Sequence, residues 1–510
     1  MTSLAGTIIG TRPAAWSGIG LMLVSGAWFF LVFPTEPLYF ENQNTKFLHG
    51  MASAGIGHLD RDWTANTIDV MPVFTGIVYA LHVATPAFVC YLVQIALFAV
   101  FLYALVHLAG FVVGEAADRP WFNIIVGVIV VTSQFSNGGA RVWGGVAKQY
   151  LLGPALEPQS FGVFFLLAMV LFLRRRTEAA LLLTALPAII HPGYVVPAGT
   201  LILAFLLAAW RSPDRSGRPR FLVAVVALVT TATSMIYLGL MILPTDAESW
   251  RQANEILAKV RIPGHAVPAH WFDIDAAAKV AGLTLALWLV KKRCPDLFWI
   301  IAFCFGTALS LTLLTVLLDS AELGVISPWR ISVYLVPLGL ISLLGRAVAA
   351  SLALLEYGRG AALFCKGLGF ALLLAVIAVT IRGAIEKATL YWPEPPAAHI
   401  AYMRETGSAE TLYLASPRDM DIRLESGLPQ LVSWKTHPYK DIEVLEWYRR
   451  YQLVRRVFQG AIVDCVALNE TITAYGATHL LLEDPERTMD CAVATPVFEG
   501  EEARIYRLAR

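Results

Sequence analysis

The sequence is poor in charge. Of its 510 residues 15% are Asp, Glu, Lys or Arg, where soluble domains carry roughly 25%, and a soluble globular enzyme is thereby excluded. Charge of one sign is missing too, since the formal net charge is +1. Nucleic-acid binders need a concentrated basic face, so no nucleic-acid partner is expected. The six cysteines show no paired CxxC spacing, which argues against a zinc framework and against a disulfide-scaffolded miniprotein. Cys90, Cys294, Cys304 and Cys365 lie in or beside apolar runs and read as small buried hydrophobes. No internal repeat and no low-complexity stretch is visible.

What the chain has in abundance is apolar length, with 57% hydrophobic residues. A bilayer core about 30 Å thick takes roughly 20 apolar residues per helix. Such runs recur at 15–34, 86–112, 120–135, 161–173, 178–191, 194–210, 221–243, 275–290, 296–318, 328–345 and 361–382. They predict an α-helical polytopic membrane domain of about 11 transmembrane helices over residues 1–383. The stretch 178–210 is broken by His191-Pro192-Gly193-Tyr194, which predicts a turn near one membrane face.

Threading eleven spans alternately puts Arg174, Arg175, Arg176, Arg211, Arg215, Arg218, Arg220, Lys291, Lys292, Arg293, Arg346, Arg359 and Lys366 on one side. Short basic loops stay cytoplasmic. The expectation is therefore a multi-pass protein with a cytoplasmic N-terminus and no cleavable signal peptide, whose residues 384–510 emerge on the extracytoplasmic side. That last part opens with the linker Trp392-Pro393-Glu394-Pro395-Pro396 and then takes a soluble composition. Strands at 411–416, 430–434 and 478–483, with helices at 441–458 and near 467–475, predict a small α/β domain. Cys465 and Cys491 both fall in it, and an oxidising compartment permits a disulfide between them.

A charge at a membrane helix centre costs roughly 2.5–3.5 kcal/mol on insertion scales, so clustered polar residues read as sites. They concentrate in the outer loops 35–72, 136–160 and 244–274 and in Ser327-Pro328-Trp329-Arg330. Asp60 and Asp62 are candidate general bases, against the alternative of a solvated turn. Asp62 is preferred because Trp63 follows it and would shield it from water. Asp69, just before Met71-Pro72, reads as an N-cap, and Arg61 as a partner for a neighbouring acid. Arg261, Arg330, Arg141 and Lys148 are candidates for binding a phosphate, against interfacial snorkelling. His191, His265 and Trp63 are candidate substrate contacts, although a bond from His191 to a freed backbone carbonyl is the simpler reading. Pro263 and Pro268 keep His265 and His270 off a shared helix face, so no metal site is assigned. Lys435, His437, Tyr439 and Lys440 read as a solvated turn, and Trp447 and Tyr448 as a packing face.

The stretch GHLDRDWTANTID, the residues Glu157, Gln159 and Phe161, IHPGY at 190–194, RIPGHAVP at 261–268 and WKTHPYKDIEVLEWYRR at 434–450 resemble a bacterial branch of the GT-C superfamily of integral membrane glycosyltransferases. The resemblance covers most of the chain. It implies a bacterial inner-membrane enzyme that moves a sugar, with inversion, from a polyprenyl-phosphate-linked donor to an envelope glycan, lipid or protein acceptor outside the cytoplasm. It also implies an Asp or Glu of the first outer loop as general base. This sequence departs from the usual adjacent acid pair, because Arg61 separates Asp60 from Asp62, and the choice of base stays open. No cofactor is implied, with a divalent metal left open. The alternative is a transporter or flippase of a lipid-linked or anionic solute, which predicts paired repeats and midplane ionisable residues. A third reading is a non-catalytic scaffold in an envelope assembly.

Overall fold

The computed structural model describes residues 15–119, 121–212, 217–354, 359–391, 396–484 and 486–509. Arg215 and Trp392–Pro395 of the expected linker lie outside the described residues.

Each of the eleven apolar runs folds as a helix, from Ala15–Val32 to Arg359–Tyr391. Among the described residues six helices are long and apolar enough to cross a membrane: Val89–Asp118, Pro192–Arg211, Phe221–Met241, Pro295–Leu317, Ala321–Leu354 and Lys366–Tyr391. Further apolar helices are shorter, and one of them, Pro72–Ala84, is absent from the sequence-based list. Its run contains Thr75, Gly76 and His82, which dilute the apolar signal. The outer surface of this helical part is greasy, with Phe221, Trp288 and Leu363 each more than 70% exposed. Such a surface is stable only against lipid or another apolar partner.

The basic junctions meet at one end of the bundle. Arg175 pairs with Asp296 at 2.8 Å, Arg220 with Glu178 at 2.7 Å, and the Arg211 guanidinium lies 4.1 Å from the centre of the Trp299 ring. The long polar loops meet at the other end, where the C-terminal residues pack on them.

The C-terminal part holds a four-stranded sheet of order β1-β2-β4-β3: β1 Tyr413–Leu414, β2 His479–Leu482, β3 Ala494–Glu499 and β4 Arg504–Leu508. β1 runs parallel to β2, while β4 is antiparallel to both β2 and β3. Side chains alternate across a strand. Leu480 and Leu482 accordingly pack with Trp447, Leu468 and Ile472 of the helices Asp441–Val457 and Cys465–Tyr475, whereas Leu481 faces Ile400 and Met403 of the helix Ala398–Thr406. Covering both faces is what makes β2 read as an unbroken apolar run. Cys465 and Cys491 are joined by a disulfide.

The expected strand at 430–434 does not form. Its backbone groups are taken elsewhere: Gln430 N–H donates to Asp62, the Ser433 carbonyl accepts from the Trp447 indole, and Trp434 N–H donates to the Pro417 carbonyl. A single bridge between Gln430 and Tyr413 is left.

Candidate active site

The loop that follows the first helix turns back on itself through Tyr39 and Glu41, both at positive φ, and then forms the short helix Gln43–Lys46. Gln43 fixes this turn by accepting from Tyr39 N–H and donating to the Leu156 carbonyl of the second outer loop. The second loop is pinned in turn by Ser332, whose hydroxyl accepts from Val146 N–H at 2.7 Å. Its residues Ala147 and Lys148 have φ of 57° and 56°, a left-handed conformation that costs L-residues roughly 1–2 kcal/mol each. The strained turn delivers the Ala147 carbonyl to His265 Nδ1 at 2.7 Å and sends Gln149 and Tyr150 inward.

Two groups of polar side chains result. The first surrounds Glu157, which is 2% exposed. Asn42 Nδ2 donates to its two oxygens at 3.4 and 3.3 Å and to the Tyr150 hydroxyl at 3.0 Å. That hydroxyl donates to Glu157 at 3.4 Å, and Gln159 donates to it as well. Burial pushes the Glu157 carboxyl up to about 7, against the opposing pull of Lys46, Asn42 and Lys435. The second group surrounds Arg330. Its Nε donates to Gln149 Oε1 at 3.2 Å, and its Nη1 lies 3.1 Å from His191 Nε2. A guanidinium only donates, so His191 Nε2 accepts; the ring is neutral and carries its proton on Nδ1. That Nδ1 and the amide Nε2 of Gln149 are buried without a partner. The arginine thus consumes the acceptors of both side chains and leaves their donors available.

The groups adjoin. Gln149 and Tyr150 are neighbours in sequence, the Tyr194 hydroxyl donates to the Gln159 carbonyl at 2.8 Å, and the Lys46 ammonium acts electrostatically on Glu157, His191 and His437. Among the described residues no hydrogen bond or ion pair is recorded for the Lys46 side chain, so its charge is free for a ligand. Gly193 makes the approach of Arg330 feasible, because a Cβ there would sit 1.7 Å from Nη1.

The C-terminal part closes the cluster. Arg261, at the end of the π-helix Ile256–Arg261, donates by Nε to His437 Nδ1 at 3.1 Å and by Nη2 to the Lys435 carbonyl at 3.0 Å. Burial lowers Arg261 to about 10 and holds His437 well below the usual imidazole range. Lys435 pairs with Glu41. The expected solvated turn 435–440 is therefore corrected: Thr436 and His437 are buried, because the loop is the wall that meets Arg261 and the first outer loop.

Of the residues singled out from sequence, His191, Arg330, Arg261, His265 and Lys148 lie in or beside this cluster; His265 responds to the charges of Arg330, Arg261 and Lys148. His191 bonds Arg330 rather than a freed carbonyl. Arg141 does not join them: its side chain is exposed and its carbonyl accepts from Lys279. Asp60 is exposed and pairs with Arg61 at 3.5 Å. Asp69 accepts from Met71 N–H at 2.8 Å and shapes the turn into Pro72. Trp63 lies under Arg450, 4.1 Å from ring centre to guanidinium. Asp62 is fully buried and forms an ion pair with fully buried Arg423 at 2.8 Å. It also accepts from Thr64 N–H at 2.8 Å and from Gln430 N–H at 3.0 Å. Asp62 therefore joins the first outer loop to the C-terminal part, and both of its oxygens are occupied. Lys46, Asn42, Gln149, Tyr150 and His437 escaped sequence reasoning as site residues; the polar run Glu41-Asn42-Gln43-Asn44 between aromatic residues was the available signal. Among the described residues no cluster of His, Cys, Asp and Glu suited to a metal ion occurs.

A family model described as "Domain of unknown function (DUF6798)" matches residues 397–454. No curated protein matches the chain. Among solved structures the chain is similar to the crystal structure of ArnT from Cupriavidus metallidurans in the apo state, at 13% identity over 97% of this chain and 98% of that one, with a TM-score of 0.42.

Proposed function

We propose that the protein is a multi-pass membrane glycosyltransferase with Glu157 as its general base. The sugar comes from a polyprenyl-phosphate donor, and the acceptor is a hydroxyl on the extracytoplasmic side. The observation that carries this reading is a buried carboxyl poised at about 7 beside a set of unpaired donors and a free ammonium. A base works best when its pKa lies near the operating pH. Ionised Glu157 takes the acceptor's hydroxyl proton as the oxygen attacks the anomeric carbon. The bond from that carbon to the phosphate oxygen breaks, and the polyprenyl phosphate leaves with the bonding pair. Lys46 and the donor atoms His191 Nδ1 and Gln149 Nε2, held in place by Arg330, receive the developing charge, an interaction that strengthens in a site with little water. Asp62 is assigned to structure instead. The sequence resemblance supports a polyprenyl-phosphate carrier and the transfer of a sugar; the geometry supports Glu157 as base and the anion contacts. Eleven crossings, with the polar end facing outward, complete the reading.

The test is Glu157→Gln, assayed for sugar transfer from polyprenyl-phosphate-sugar in reconstituted liposomes. Loss of a general base lowers the rate by about 10²- to 10⁴-fold, with the fold retained because the amide replaces a group that is half neutral at pH 7. Transfer within a few-fold of the parent chain refutes the assignment. Movement of the lipid-linked donor across the bilayer with no transfer by the parent chain favours a flippase.

A further inference from the structure

The helices Asp441–Val457 and Cys465–Tyr475 do more than cover the sheet. Their solvent-facing sides diverge into an open trough of about 880 Å³, within the size range of small-molecule sites. One wall carries Gln452 and the other Asn469 and Thr473, with Tyr475 at the end. Among the described residues none of Gln452, Asn469 and Thr473 has a recorded side-chain hydrogen bond. The two arginines of the trough are neutralised locally: Arg449 pairs with Glu446 at 2.9 Å and Arg456 pairs with Glu470. The lining therefore offers amide and hydroxyl groups that both donate and accept, apolar patches from Leu453 and Val466, and no uncompensated charge.

We infer that this trough binds a neutral carbohydrate chain. Sugar hydroxyls need partners that give and take hydrogen bonds at once, which Gln, Asn and Thr provide and Lys or Asp does not. The C–H faces of a sugar ring suit Leu453, Val466 and the Tyr475 ring. A phosphorylated or sulfated ligand would have to break the two ion pairs to gain a cation, so a neutral chain is preferred. The trough is also tied to the membrane part. Arg450 lies 4.5 Å from the Tyr475 ring centre on one side and 4.1 Å from that of Trp63 in the first outer loop on the other. Where the proposed transferase activity holds, the trough grips a glycan acceptor at a distance from its reacting end; binding itself does not require Glu157.

The experiment uses the full chain in nanodiscs, with N-acetylchitohexaose, maltohexaose and isomaltohexaose as neutral probes and a sulfated maltohexaose as the charged one, read by saturation-transfer NMR. At least one neutral chain binds. The double variant Asn469→Ala/Gln452→Ala, with Asn469 exposed and Gln452 half-buried on the trough side of the helices, weakens it by about tenfold or more, and Glu157→Gln leaves it unchanged. Absence of binding by all three neutral probes, indifference to the double variant, or preference for the sulfated chain overturns the inference. Binding retained in a chain that shows no sugar transfer would sink the enzymatic reading while leaving this one intact.

Discussion

Replacing Asp62 by Asn changes one oxygen for an amide nitrogen and removes one charge, which makes it a clean probe of what this residue does. In the parent chain the carboxylate meets Arg423 at 2.8 Å with neither side chain exposed, while Arg423 Nη2 donates to the Gln430 carbonyl at 3.0 Å. An asparagine keeps one acceptor and turns its NH₂ either toward the Gln430 N–H and the guanidinium together or toward the Thr64 N–H, so a donor faces a donor in both orientations. The guanidinium is left buried without a counter-charge. Breaking a buried pair from one side costs about 3–5 kcal/mol, a large share of the stability of a typical domain. The expected outcome is a lowered midpoint of thermal unfolding and faster proteolysis of the C-terminal part, with sugar transfer per folded molecule within a few-fold of the parent. Arg423→Met should cost a similar amount, and the double variant should recover more than about 1 kcal/mol relative to the sum of the single ones. An Asp62→Asn protein with unchanged stability and a hundredfold lower turnover would refute the reasoning and return the base to the first outer loop.

The remaining predictions concern the cluster and its support. In the proposed reaction Glu157 acts ionised, and with its carboxyl at about 7 transfer should rise with pH through about 7, measured as the pH profile of turnover. Stability runs the opposite way: the raised carboxyl contributes fully below its ordinary value near 4.5 and loses about 3 kcal/mol as pH climbs through 7, readable in unfolding midpoints. Gly193→Ala places a methyl group 1.7 Å from Arg330 Nη1; displacement of the guanidinium should raise the KM for the lipid-phosphate donor about tenfold or more in steady-state assays. Cys465→Ser opens a link that closes a separation of 26 residues and should destabilise the C-terminal part by about 2–4 kcal/mol in denaturant titrations.

Much of the fold is legible in the order of residues because apolar runs report their surroundings directly. Phe221–Met241 and Pro295–Leu317 are helices long and apolar enough to cross a membrane, and their sequences have little else they can be. Helix Asp441–Val457 announces itself by acids in its first turn and arginines in its last. Strands β3 and β4 were not anticipated, because β3 alternates only weakly and is mostly surface. The segment 430–434 has strand-like side chains but spends its backbone on Asp62, Trp447 and Pro417, contacts that no local pattern announces.

The candidate site was half legible. Arg330, His191, Arg261 and His265 drew notice as polar residues at helix ends, where they are. Asp62 draws attention as a base for its aromatic neighbour, yet the partner it meets is Arg423, more than three hundred residues away in the chain. Glu157 shows the converse. Its sequence setting, Leu156-Glu157-Pro158, gives no sign of a raised carboxyl; the shift arises from burial among Asn42, Tyr150 and Gln159, which the folding of two separate loops brings together.

The wall formed by Lys435 and His437 has a consequence for biosynthesis. These residues are translated after every helix of the bundle, so a chain interrupted between residues 331 and 434 holds Glu157 and Arg330 but lacks the wall that meets Arg261 and Glu41. A nascent or clipped chain of this kind is a membrane-inserted intermediate without a finished centre. On the proposed function, competence therefore arrives only once Lys435 and His437 have been made and packed against Arg261 and Glu41.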